Sequence, residues 1–172
     1  FTSFDRQKVS TWIATEDIKT VLAKDWGYRI EIIKPALLCD FLVGWTKQPS
    51  ISKDMINLVK SAITRAFLED TERNVQICKQ ALQTGDKMAV KASLQKVSDL
   101  LLGLSSAIYN DKLKALKSAE KGLDVIAKSS GSGGGDCGIA ISFSESDSHE
   151  LAQRWQKAGI EILYQERLSD ER

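Results

Sequence analysis

The order of hydrophobic and polar residues predicts two short helices and two strands in the first part of the chain. Residues 6–13 and 16–24 place their apolar side chains at helical spacing. Residues 28–34 alternate large apolar with polar side chains, which is typical of a strand. Residues 39–46 form a nearly continuous apolar run, and this pattern favours a strand that is covered on both faces.

After residue 50 the hydrophobic period becomes helical, and the pattern predicts a run of four helices. The first begins at Ser52, whose hydroxyl is expected to cap it. The second covers residues 72–83, and the third follows a capping Asp86. The fourth follows Asp111 and is closed by Gly122. Amphipathic stripes of this kind predict packing against a common core.

The last part of the chain predicts strand, helix and strand. Residues 137–143 alternate large with small side chains, so one face of this strand suits a close approach. Asp147 or Ser148 is expected to cap the following helix, which ends at Gly159, and residues 160–167 form the last strand. Together these elements predict an α+β fold in which helices lie on one side of an antiparallel sheet.

Composition and charge exclude several classes of protein. The chain has 172 residues, of which 42% are hydrophobic and 27% charged, with only 2 prolines, so we expect an ordinary domain with a core. No apolar stretch reaches the length of a membrane span, and the net charge of +1 gives no reason to expect a nucleic-acid partner. The chain has no signal peptide and opens at Phe1 without a methionine, from which we expect a piece of a longer protein, with N-terminal processing as the alternative.

The residues that bind metals or act as nucleophiles are few. The three cysteines, Cys39, Cys78 and Cys137, are far apart in apolar surroundings, which predicts reduced thiols in the cytosol. His149 is the only histidine and no Cys-x-x-Cys pair occurs, so the sequence predicts neither a metal site nor a Ser-His-Asp site.

A glycine-rich segment is the most informative stretch of the sequence. Four glycines occupy five positions from Gly131 to Gly135, directly before the predicted strand that begins at Cys137. Glycines allow backbone N–H groups to converge on an anion, and the neighbouring serines and Lys128 offer further donors. The segment is neither a Walker A loop nor a dinucleotide-binding turn, because no Gly-Lys-Ser/Thr follows and a strand comes next. The residues alone leave phosphate binding and a structural turn as alternatives.

The segment from Lys128 to Ala140, KSSGSGGGDCGIA, resembles the third conserved motif of the GHMP kinases. It is closest to the form of the phosphomevalonate kinase branch, in which Asp-Cys-Gly follows the glycines. Similar stretches occur at residues 4–7, 39–55 and 155–167, so the resemblance covers essentially the whole chain.

The resemblance implies a ferredoxin-like C-terminal domain over residues 25–172, and it assigns residues 1–24 to the end of the N-terminal nucleotide-binding domain or to linking helices. It further implies transfer of a phosphoryl group from ATP, with Mg²⁺, to 5-phosphomevalonate. The N-terminal domain of the same protein would be the partner, and no catalytic or metal-binding residue would lie in this chain. Two alternatives stay open: another GHMP enzyme, such as mevalonate kinase or diphosphomevalonate decarboxylase, and a non-catalytic ferredoxin-like binding module.

The resemblance also implies where substrate and phosphate bind. The candidates share hydroxyl groups or unhindered backbone N–H groups, and they are Ser130, Gly131, Ser132, Gly133, Gly134, Ser50 and Ser52. For Ser52 a role as a helix cap is an equal alternative. We expect the side chain of Asp136 to turn away from the anion and to bond within the loop. We also expect a bulky residue at Gly133 to lower turnover while leaving the melting temperature nearly unchanged.

Overall fold

The computed structural model describes residues 1–131 and 133–168, apart from the side chain of Ser52. The chain divides into two compact units, Phe1–Ile33 and Lys34–Arg172. The assignment of residues 1–24 to the end of a preceding domain stays a prediction. None of the helices in the described ranges has the length and apolar character needed to cross a lipid bilayer.

The first unit contains two helices and a short two-stranded ladder. Its elements are β1 (Thr2–Ser3), α1 (Arg6–Thr15), α2 (Ile18–Ala23) and β2 (Arg29–Ile30). The predicted helices are confirmed, and the carboxylates of Asp5 and Asp17 cap them. The strand predicted over residues 28–34 is reduced to β2, which pairs antiparallel with β1.

The second unit contains a four-stranded antiparallel sheet with the strand order β4-β5-β3-β6. Its elements are β3 (Cys39–Trp45), α3 (Ser52–Val59), α4 (Arg65–Thr84), α5 (Lys87–Leu104), α6 (Asp111–Ser118), β4 (Val125–Ser129), β5 (Cys137–Ser142), α7 (Glu145–Lys157) and β6 (Glu161–Leu168). The predicted α+β class is confirmed.

Helices cover both faces of this sheet, so the predicted one-sided arrangement is wrong. Neighbouring residues of β4, Ile126 and Ala127, belong to different core clusters because successive side chains of a strand point to opposite faces. Ala127 packs with residues of α6 and α7, including the fully buried Trp155. Ile126 packs with residues of α4 and α5, including Val90.

One strand and several helix starts differ from the prediction. β4 was not predicted, because its apolar run is short and carries no alternation. α4 begins at Arg65 rather than at residue 72, since the Thr64 side chain accepts from the Phe67 N–H and starts it earlier. α3 has no side-chain cap, and Ser52 is its first residue.

Two further helices are capped by residues one to four positions before those predicted. Asn110 caps α6, although Asp111 was expected to do so. Ser144 caps α7 in place of Asp147 or Ser148. In both cases an earlier polar residue captures the free N–H groups of the first turn.

The small-residue face of β5 permits the close approach that the sequence predicted. A Cβ on Gly138 would lie 2.5 Å from Leu116 Cδ1. Gly138 pairs with Gly44 of β3, where a Cβ would lie 2.7 Å from the Trp155 ring and 2.9 Å from Ile160 Cγ2. Two adjacent strands therefore lack side chains at the point where α6 and the Trp155 indole pack on the sheet.

Replacing Gly44 should test this packing. Gly44→Ala forces a methyl group against the Trp155 ring, and overpacking of a core typically lowers the free energy of unfolding by about 1–3 kcal/mol. The matched control is Gly103→Ala in α5, where a Cβ meets nothing within 4 Å. That change should raise stability by roughly 0.5–1 kcal/mol through helix propensity. Chemical denaturation measures both, and equal stabilities of the two variants would contradict the packing account.

Candidate functional site

The glycine loop, residues 130–136, connects β4 to β5. Its four glycines all have positive φ: +69° at Gly131, +73° at Gly133, +77° at Gly134 and +147° at Gly135. L-residues with side chains rarely adopt these angles. The conformation of the loop therefore requires glycine, as the sequence predicted.

Three of these glycines also lie too close to other segments to carry a Cβ. At Gly133 it would lie 2.7 Å from Ile108 O, at Gly134 2.6 Å from Met55 Sδ, and at Gly135 2.5 Å from Gln48 O. A Cβ on Gly131, by contrast, meets nothing within 4 Å. The loop is thus packed against three segments, namely the β3–α3 connection, α3 and the residues before α6.

Hydrogen bonds hold the loop against two of these segments and against the first residue of β5. The Gly134 N–H donates to Ile108 O at 2.8 Å, and the Ser130 N–H donates to Cys137 O at 2.9 Å. Ser50 Oγ donates to Gly133 O at 2.6 Å.

Two further contacts extend the β3–β5 pairing beyond the sheet. The Thr46 N–H donates to Asp136 O at 2.8 Å, and the Asp136 N–H donates to Gln48 O at 2.5 Å. Asp136 has a φ of +60°, which is uncommon for a residue with a side chain. The end of the loop is therefore fixed to the β3–α3 connection by backbone bonds.

Three N–H groups of the loop have no acceptor within the described ranges: those of Gly131, Gly133 and Gly135. The expected donors ran from Ser130 to Gly134. This expectation is wrong for the N–H groups of Ser130 and Gly134, which donate to carbonyl groups of the chain. The N–H groups of Ser130, Gly134 and Asp136 thus anchor the loop, and the three without an acceptor among the described residues suit an anion.

The predicted serine candidates fall into two groups. Ser50 lies beside the loop, where its hydroxyl proton is donated to Gly133 O, and it brings the start of α3 to this place. Ser130 is half-buried at the start of the loop. Ser132 and the side chain of Ser52 lie outside the described residues.

Charged and titratable groups next to the loop are engaged elsewhere. Lys128 Nζ donates to Ser129 O, and burial, together with the nearby Lys117, lowers the pKa of Lys128. The exposed Asp136 carboxylate is contacted by the Cys137 thiol at 3.9 Å. Burial and then the Asp136 charge raise the pKa of that thiol. The bond expected from the Asp136 side chain within the loop stays a prediction, because Ser132 lies outside the described residues.

No cluster of three or more histidine, cysteine, aspartate or glutamate residues that could hold a metal ion occurs among residues 1–131 and 133–168. The donor set of the loop suits an anion instead, because it consists of backbone N–H groups.

Sequence reasoning missed the residues that hold the loop from outside. Asn110 donates from Nδ2 to Gly134 O and to Gln48 Oε1, both at 3.0 Å. Its position directly before a helix was a signal for a cap, but nothing in the sequence links it to the glycines. The Gln48 and Ile108 carbonyls carry no sequence signal, because any residue presents a carbonyl group.

The sequence is similar to those of known kinases. Residues 78–161 match the family model "GHMP kinases C terminal". A phosphomevalonate kinase of Streptomyces sp. (strain CL190) is 32% identical over 130 residues, covering 69% of this chain and 35% of the relative.

Solved structures of similar proteins cover almost the whole chain. The Streptococcus pneumoniae phosphomevalonate kinase, in complex with phosphomevalonate and AMPPNP, superposes with a TM-score of 0.85 at 47% identity, over 96% of this chain and 50% of that protein. Mevalonate kinase of L. major superposes with a TM-score of 0.65 at 18% identity, which shows the shared fold alone. The chain spans half or less of the length of these relatives.

A matched pair of loop variants should separate backbone strain from close packing. Gly131 and Gly133 have nearly the same φ, so alanine costs each roughly 1–2 kcal/mol in conformational energy. Only at Gly133 does the new Cβ also collide with Ile108, which should add about 1–3 kcal/mol.

Thermal and chemical denaturation should therefore show Gly133→Ala to be clearly less stable than Gly131→Ala. This replaces the expectation that a larger residue at Gly133 leaves the melting temperature nearly unchanged. Equal stabilities of the two variants would contradict this expectation, because Ile108 would then move aside without a loss of stability.

Proposed function

Because this chain carries the C-terminal domain of a GHMP kinase, we propose that it supplies part of the substrate site of a phosphomevalonate kinase. In this reaction an oxygen of the 5-phosphate of phosphomevalonate attacks the γ-phosphorus of ATP. The bond between that phosphorus and the bridging oxygen breaks, and ADP and 5-diphosphomevalonate are formed. The observation that carries the proposal is the 47% identity, over 96% of this chain, to a phosphomevalonate kinase.

The role proposed for the glycine loop is to bind anionic phosphate oxygens through backbone N–H groups. Gly131, Gly133 and Gly135 each offer an N–H group that no described residue accepts. Phosphoryl transfer depends mainly on positioning and on stabilising negative charge, and fixed backbone dipoles do both. Ser130 and Ser132 stand beside these groups in the sequence as further hydroxyl donors.

The start of α3 is proposed to extend the anion site. The first N–H groups of a helix lack partners within it and carry the positive end of the helix dipole. Ser50 bonds to the loop directly before α3, so this end lies beside the glycines. Ser52, the first residue of α3, is proposed to contact the substrate.

ATP is the proposed phosphoryl donor, and the Streptococcus pneumoniae neighbour was solved with AMPPNP. Mg²⁺ is the proposed metal ion, and it would neutralise negative charge on the phosphates of the nucleotide. The catalytic residues and the remaining ATP contacts are proposed to lie in the N-terminal domain of the same protein. We further propose a cytoplasmic location, in which the three cysteines stay free.

Substrate identity should distinguish this proposal from the other GHMP enzymes. The full-length protein, given ATP and Mg²⁺, should convert 5-phosphomevalonate to 5-diphosphomevalonate, which ³¹P NMR detects as a new diphosphate. Mevalonate and diphosphomevalonate should give no product. This chain alone should also give none, since half of the relatives' length is absent from it. Turnover of mevalonate in place of phosphomevalonate, or turnover by this chain alone, would contradict the proposal.

The proposed donor role of the loop has a matched test in two exposed glycines. Gly131→Ala should lower kcat, because the new Cβ disfavours a φ of +69° and turns an available N–H group away. Losing one fixed donor to developing charge typically costs about 10²–10³ in turnover, and a displaced donor should cost about tenfold or more.

The control is Gly122→Ala. Gly122 also has a positive φ, and an added Cβ would meet nothing within 4 Å, but the residue lies outside the loop. Both variants should lose similar stability in thermal denaturation, and only Gly131→Ala should lose turnover. Equal kcat in the two variants would leave the glycine loop without a catalytic role.

A further inference from the structure

Asn110 connects the glycine loop to two other segments through one side chain. Its Oδ1 accepts from the Leu113 N–H at 2.9 Å and so caps α6. Its Nδ2 donates to Gly134 O and to Gln48 Oε1, both at 3.0 Å. The half-buried amide thus uses its acceptor for the helix and its donors for the loop and the β3–α3 connection.

The bond to Gly134 O determines the direction of a loop N–H group. A peptide unit is planar and trans, so its carbonyl and its N–H group point in opposite directions. The peptide that contains Gly134 O carries the N–H group of Gly135, which is one of the three available donors. With Gly134 O held by Asn110, the Gly135 N–H group faces away from Asn110.

The other described peptide of this part of the loop is held at both ends. Ser50 donates to Gly133 O, and the N–H group on the same peptide donates to Ile108 O. The peptide between Gly134 and Gly135 has only the Asn110 contact among the described residues. Both of its flanking residues are glycines, which resist rotation of the peptide between them less than residues with side chains would.

We propose that Asn110 is a positioning residue of the candidate anion site, because its amide fixes the Gly134–Gly135 peptide so that the Gly135 N–H group faces the phosphate. This inference rests on the proposed function of the loop. Asn110 does not touch substrate in this account, and it acts through the peptide that it holds.

A role in helix capping alone is the competing explanation, and one substitution separates the two. Asn110→Asp keeps an oxygen that can accept from the Leu113 N–H, and aspartate caps helices about as well as asparagine. The same change removes both N–H donors and places a carboxylate opposite Gly134 O. Asn110→Asp should therefore preserve α6 and release the peptide.

The kinetic test uses the full-length protein. In Asn110→Asp, kcat for phosphomevalonate should fall about 10–100-fold, because small displacements of aligned groups have effects of this size. The KM for ATP should change less than about twofold, since the remaining ATP contacts are proposed to lie in the N-terminal domain.

Asp86→Ala provides the control for capping. It removes the bond from the Ala89 N–H at the start of α5, away from the loop. This variant should lower the melting temperature and leave kcat unchanged. Asn110→Asp should instead keep the melting temperature and lower kcat.

Hydrogen–deuterium exchange of the same full-length variants, without any substrate, provides a readout that does not depend on activity. Gly135 is buried, so its N–H group is shielded from water although no described residue accepts it. Exchange there should therefore be faster in Asn110→Asp, where the peptide is released, than in the parent, and unchanged in Asp86→Ala. Unchanged exchange at Gly135, or faster exchange together with a parental kcat, would overturn the inference. If the parent protein phosphorylates none of the mevalonate-derived substrates, the proposed function fails, while the exchange rates still decide whether Asn110 holds the peptide.

Discussion

The backbone of the glycine loop lies directly against the backbone at Ile108 and Gln48, and the geometry of the candidate site depends on this contact. A single added carbon at Gly133 or Gly135 would lie 2.7 or 2.5 Å from the carbonyl oxygens there. Because the approach is so close, the loop can pair its Gly134 and Asp136 N–H groups with those carbonyls. The N–H groups of Gly131, Gly133 and Gly135 are then held in place with no acceptor among the described residues.

The sheet and its core fix the position of the glycine loop. β3 and β5 are the central strands of the sheet, and Trp45, the last residue of β3, pairs with Cys137, the first residue of β5. The β3–α3 connection and the glycine loop therefore lie at the same end of the sheet. The sheet is in turn held by helices on both faces, with Trp155 inserted where Gly44 leaves room. The position of the loop is therefore set by the core, and the donors need no side chains of their own.

Much of this fold and part of the site could be predicted from the sequence, because they rest on local signals. The repeat of apolar residues located the helices, and the cluster of glycines located the loop and its unusual backbone angles. β4 was missed because five residues with both faces covered show no alternation. The roles of Asn110 and Ile108 were missed because they depend on which segments meet in space.

For the same reason, the sequence could not predict which N–H groups of the loop are paired within the chain. Sequence spacing suggests that consecutive N–H groups act together, and Ser130 and Gly134 were counted among them. Their partners, Cys137 and Ile108, become visible only in the folded chain. The resemblance to the GHMP kinases indicated the loop, but it did not indicate which of its N–H groups are paired within the chain.

The contacts that hold the loop also bear on the order of events during folding. The bond from Ser50 to Gly133 joins residues 83 positions apart, and that from Asn110 to Gln48 joins residues 62 apart. Closing chain segments of this length costs entropy, which is recovered only once the strands between them have paired. The anion site is thus among the last parts of the domain to assemble. A partly folded chain would carry the four glycines without the backbone geometry that Ser50, Gln48 and Asn110 impose on them in the folded domain.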